Sequence, residues 1–260
     1  MKLVKLVAPA LLLVAAACSN STMGTVGFSL TSRTAASPAP SAALSSGAAV
    51  PSVTATGDST VIALGNDTVI VRSAQLVLRK VELKRSDVAS CDAIEGNDDC
   101  EEFETGATLV SLPLGSALIT QQVSVAVPAG TFNALEFEIH KPSSSDDAAF
   151  IAANPDFASI SIRVTGTYSQ SGTRSTFTFT SDVNQSEESS LVPPVTVQEG
   201  QTLSVTLRVD ISGWFLNGAK TALVDPASAN KGQPNESVVA NNIQNSFDAF
   251  EDDNHDGLEG

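Results

Sequence analysis

The chain has 260 residues, 42% hydrophobic and 5% aromatic, enough for one large domain or two small ones with a sizeable core. Its abundance of Ser, Thr, Ala and Val suits an all-β secreted protein better than a helical one. The formal charge of −15 becomes −17 once Lys2 and Lys5 leave with a leader, so nucleic acid is disfavoured as a partner and cationic partners are favoured.

Residues 1–17 read as a secretory signal peptide: two lysines, then an apolar run from Val7 to Ala17 that is too short to span a bilayer. Ala15-Ala16-Ala17-Cys18 resembles a bacterial lipobox, with Ala15 where Leu is usual. Cys18 is thereby the expected lipidation site and residues 18–23 the tether, a membrane anchor that leaves the folded body in water. Ser19 and Asn20 lack the Asp that marks inner-membrane retention, which points to the outer membrane. The expected location is thus the bacterial cell envelope, on a periplasmic or surface face.

The body, residues 24–233, is expected to be an antiparallel β-sandwich. Val26, Phe28 and Leu30 suit a first strand, whereas Ser32 to Asp58 is rich in Ala, Ser, Pro and Thr without an apolar period and reads as a disordered loop. Val61–Leu64 and Thr68–Arg72 flank a Gly65-Asn66-Asp67 turn. Ser73–Lys84 shifts apolar phase between Leu78 and Val81, the signature of a bulge. Arg79, Lys80, Lys84 and Arg85 read as solvated charges on a strand edge. Thr108–Leu112 and Ala117–Gln121 continue the sheet. Val123, Val125 and Val127, then Leu135, Phe137 and Ile139, alternate about Pro128 and Gly130 and read as one hairpin, with Gly130 supplying positive φ. Ala148–Ala153 is expected to form a helical turn. Ser159–Tyr168, Thr176–Thr180 and Leu203–Ile211 complete about eight or nine strands.

The pattern V-P-A-G-T-F-x-x-L-x-F-x-I at Val127–Ile139, preceded by S-A-Q-L-V-L-R-K-V-E-L at Ser73–Leu83, resembles an uncharacterised family of bacterial secreted lipoproteins. The resemblance covers Gly24 to about Ile211, with Phe132 where the family often has Tyr. It implies a prealbumin-like, immunoglobulin-like β-sandwich and hardly a function.

Cys91 and Cys100 bracket an acidic loop. In an exported protein they read most simply as a disulfide; zinc lacks further ligands, and calcium lacks the loop spacing. Trp214-Phe215 follows the longest alternation and is either the plug of the core's end or a platform for a glycan or peptide ligand. Residues 234–260 are expected to form a helix, from Asn235 or Ser237 to about Phe250 through Val239, Ile243, Phe247 and Phe250, followed by an acidic tail. In that tail Asp252, Asn254 and Asp256 with Gly257 fit D-x-N-x-D-G and resemble the first half of an EF-hand calcium loop. The chain stops before a ligand at position twelve, so a solubilising acidic tail is the preferred reading, with weak Ca2+ binding as the alternative. No catalytic set is visible. Ser228-Ala229-Asn230-Lys231 matches S-x-x-K without its partner motifs, and His140 reads as solvated. The chain is therefore expected to be a non-enzymatic envelope lipoprotein with a structural or binding role.

Overall fold

The computed structural model describes residues 23–32, 50–85, 106–115 and 120–251. Twelve strands occur among them: β1 (Met23–Ser32), β2 (Ser52–Thr56), β3 (Ser59–Leu64), β4 (Asp67–Arg85), β5 (Thr108–Ser111), β6 (Thr120–Pro128), β7 (Gly130–Ile139), β8 (Ile162–Gln170), β9 (Thr173–Ser181), β10 (Gln185–Val197), β11 (Thr202–Val209) and β12 (Phe247–Glu251). Two short helices, α1 (Ala148–Ala153) and α2 (Glu236–Gln244), accompany them. The expected all-β sandwich with a short C-terminal helix is what forms.

One sheet has the order β12-β11-β1-β6; the other, of eight strands, runs β10-β7-β4-β3-β2, with β5 and β8 also on β4 and β9 on β8. The 19-residue β4 is the spine of the larger sheet. Its first part pairs with β3 and β8, and its last part with β7. Pairing is antiparallel throughout the described strands except between β1 and β11, which run parallel. The inner faces share one core, to which the small sheet gives Val26, Phe28, Leu30, Val205 and Leu207 and the large sheet Leu76, Val81, Leu83, Leu135 and Phe137. The Phe137 and Phe247 rings, 5.8 Å apart, join the two layers.

The segment read as one hairpin is instead the crossing between the sheets. β6 pairs with β1, while β7 lies between β4 and β10. Alternation marks one apolar face per strand, and two strands facing each other across a core meet that requirement as well as two strands side by side. Gly130 does not take positive φ; a Cβ there would come within 3.3 Å of the Arg85 guanidinium carbon, a close approach that the Arg85 side chain can relieve by a small shift.

Three further expectations change. β1 extends through Ser32 and β2 occupies Ser52–Thr56, so the loop expected over 32–58 is ordered at both ends, and 33–49 lie outside the described residues. The C-terminal helix stops at Gln244: Val239 and Ile243 are buried as expected, but Phe247 and Phe250 belong to β12, which pairs with β11. The basic residues of β4 lie on a stretch that pairs only with β7 among the described residues, as on an edge, but they are engaged with carboxylates and not simply solvated. On the outer face Glu82 stands opposite Glu136, and Glu136 opposite Glu188. Lys84 Nζ lies 3.0 Å from Glu136 and 2.7 Å from Glu188, Lys80 pairs with the fully buried Glu82, and Arg79 reaches Glu138, Asp146 and Asp147. The predicted bulge does occur, between Leu78 and Lys80 against β7.

This ladder makes stability depend on pH. Burial pushes the Glu136 carboxyl up, but the Ser186 hydroxyl and the Lys84 ammonium outweigh it and hold the group below its ordinary value of 4.5. A carboxyl depressed in the folded state stabilises above its unfolded pKa and loses that contribution as pH falls through the folded value. Urea midpoints should therefore drop below about pH 4.5, and Lys84→Met should make that acid-side drop shallower; an unchanged slope would show that the ladder carries no linkage.

Candidate functional site

The site is built where β11 ends. The Asp210 carboxylate accepts from Ser212 N at 3.0 Å and caps a 3₁₀ turn, Ile211–Gly213. That turn drives Ile211, Trp214, Phe215 and Leu216 inward. Phe215 packs edge-on against Phe177 and Phe179, with ring centroids 5.8 and 5.5 Å away. Trp214 is 1% exposed, and its indole N–H donates to Ser246 Oγ at 2.8 Å. Trp214 and Phe215 therefore do not form an exposed platform for sugar stacking: both rings are 1% exposed and close the core, because the turn points them inward.

What remains open to a ligand is the polar surface over those rings. Asn242 of α2 donates from Nδ2 to the carbonyls of Trp214 (3.1 Å) and Leu216 (2.8 Å), tying helix to loop. Leu216 bridges to Leu223, and Asn217 Oδ1 accepts from Thr221 N at 2.8 Å, closing a tight loop in which Lys220 holds φ = 55°. Asp210, Gly213, Leu216, Lys220, Asn242, Asn245 and Ser246 line a cleft of about 520 Å³. That volume lies within the roughly 300–1,000 Å³ of small-molecule sites. A non-glycine residue in the left-handed region costs about 1–2 kcal/mol, a strain often kept where function uses it. Lys220 is exposed and makes no ion pair among the described residues. The cleft thus offers a carboxylate, an ammonium, two amides and a hydroxyl around a small apolar floor.

Sequence reasoning found this end of the molecule through Trp214 but missed Asp210, Lys220, Asn242, Asn245 and Ser246. No spacing rule links them, since they come from a strand end, a loop and a helix C-terminus. The S-x-x-K residues do not assemble: Ser228 Oγ donates to the Asp225 carbonyl at 2.6 Å, while Lys231 reaches out to Asp182. That ion pair holds Asp182 low and Lys231 high, and leaves no free amine beside Ser228. His140 sits beside the Lys141 carbonyl on the outer side of its strand.

Cys18, Cys91, Cys100, Asp252, Asn254 and Asp256 lie outside the described residues. The segment leading into Asp252 is β12, a strand, and not the entrance helix that an EF-hand requires. Among the described residues no cluster of His, Cys, Asp and Glu has the arrangement of a metal site, and no helix is long and apolar enough to cross a membrane.

No protein-family model and no curated protein matches the chain. Among solved structures it is similar to MbnP from Methylosinus trichosporium, at 13% identity over 88% of this chain and 99% of that one, with a TM-score of 0.35.

Proposed function

We propose that the chain is a non-enzymatic, exported protein, lipid-anchored in the bacterial cell envelope through Cys18, that binds a small polyhydroxylated ligand such as a sugar in the cleft beside Trp214. The observation that carries this reading is the cleft itself: Asp210, Asn245 and Lys220 present acceptors and donors around it, over the buried Trp214 and Phe215. Isothermal titration with glucose, galactose, maltose, cellobiose and galacturonate tests it. Saturable heat from at least one sugar, reduced at least tenfold in affinity by Lys220→Ala or Asn245→Ala, is expected; no heat from the panel with folded protein counts against it. Lys220→Gly separates function from folding, because it removes the strained φ. It should leave stability unchanged or raise it by up to about 1 kcal/mol while weakening binding as the alanine variant does.

The anchor is tested by the mass of the N-terminal peptide, which should carry acyl chains that Cys18→Ala abolishes. Weak Ca2+ binding at Asp252, Asn254 and Asp256 belongs to the same proposal and is supported by the D-x-N-x-D-G spacing alone. Calorimetric titration with calcium should give heat that disappears when Asp252 and Asp256 are both replaced by Ala; silence up to several millimolar, of order the weakest extracellular sites, reduces the segment to a charged tail.

A further inference from the structure

We infer that the end of the sandwich around Met23 is the face turned to the membrane, and that the Trp214 cleft points away from it; this rests on the acylation of Cys18 proposed above. Five residue steps separate Cys18 from Met23. A chain spans at most about 3.3–3.6 Å per residue, so Met23 stays within roughly 18 Å of an acylated cysteine whatever the path between them.

From Met23, β1 runs ten residues to Ser32, about 30 Å at the strand rise. β11 lies parallel to it, with Thr25 opposite Thr202 and Ser32 opposite Val209. The residue after Val209 is Asp210, which lines the cleft. The parallel pair, the one topological feature that departs from a purely antiparallel sandwich, is therefore what sends anchor and cleft to opposite ends.

Two connections share the near end. The inter-sheet crossing is there because Met23 stands opposite Pro128. The turn after β10 is there because Gly200 N donates to Met23 O at 3.0 Å and Thr25 N to Gln201 O at 2.8 Å. Met23 is 42% exposed, one of two large hydrophobic side chains exposed among the described residues. Among the described residues Glu199 and Arg85 lie at this end, the Arg85 guanidinium over Gly130.

Trp214 is the only tryptophan in the chain, so energy transfer from it to a dansyl headgroup reads the cleft's height directly. Full-length acylated protein in phosphatidylethanolamine–phosphatidylglycerol vesicles doped with dansyl-phosphatidylethanolamine is compared with a Trp214→Phe, Gln198→Trp variant, whose tryptophan sits on the near turn. Transfer should be several-fold stronger from position 198 than from Trp214. With acylation verified by mass, equal transfer or stronger transfer from Trp214 overturns the orientation alone. Absence of acyl chains on Cys18 overturns the anchor and the orientation with it. Circular dichroism on both proteins establishes that each is folded.

Discussion

Replacing Trp214 with alanine should cost about 3–5 kcal/mol, a large part of the roughly 5–15 kcal/mol that holds a typical domain together. The side chain is the largest among those fully buried, and it lies where β11, the 3₁₀ turn and α2 converge. Its removal leaves a void that the loop cannot close, because Asn242 holds the carbonyls of Trp214 and Leu216 in place. Ser246 Oγ also loses the indole donor, although it still donates to the Ile243 carbonyl at 2.6 Å. Trp214→Phe isolates the two effects: it keeps most of the volume and forfeits one hydrogen bond, about 1 kcal/mol. Urea unfolding followed by circular dichroism measures both. A loss below about 1 kcal/mol in Trp214→Ala would mean that the indole is not the plug described here.

Gly166→Ala should cost about 3 kcal/mol, the upper end of the range for overpacking a core. Gly166 lies in β8 opposite Val71 of β4 on one side and Phe177 of β9 on the other. A Cβ there would stand 2.0 Å from the Ile70 carbonyl oxygen and 2.9 Å from the Phe177 ring. The first neighbour is backbone in the spine strand, so relief requires β4 and β8 to separate beside the register shift between Val71 and Ser73. Phe177 cannot swing aside freely either, since its ring packs on Phe215. Gly218→Ala, where a Cβ meets nothing within 4 Å, is the control and should stay within about 0.5 kcal/mol of the parent. Thermal unfolding of the two variants side by side gives the comparison.

The fold class was legible because alternation survives in β1, β8 and β11 and in the second half of β7. Which strands pair was not. Val127 and Gly130 mark a change of direction, and nothing local distinguishes a hairpin from a step to the opposite sheet. β10 escaped notice because Glu187, Glu188, Pro193 and Pro194 mask its pattern, and its register shifts between Ser190 and Val195. β2 is short and polar on an edge, where little burial is demanded of its sequence. In the C-terminal segment Val239, Ile243, Phe247 and Phe250 have helical spacing by coincidence. Chain reversal at Asn245 and Ser246 sends the last two into β12, where pairing with β11 outweighs the propensity of a short helix to continue. Lys84 was read as a solvated charge because sequence shows a strand's charge and not the carboxylates beside it. The candidate site was half legible for the same reason: a lone Trp after the longest alternation points to the end of the core, but the polar lining is assembled by tertiary contacts.

The emission of Trp214 tests the binding claim most directly, because its indole N–H is bonded to Ser246, which lines the cleft. Titration of the wild-type protein with the same neutral and acidic sugars is predicted to give a saturable change in emission for at least one of them, lost or shifted at least tenfold in Asn245→Ala while the unfolding midpoint holds. Emission that stays constant across the whole panel, or a change that persists unaltered in Asn245→Ala, would contradict the assignment of the cleft as the binding site.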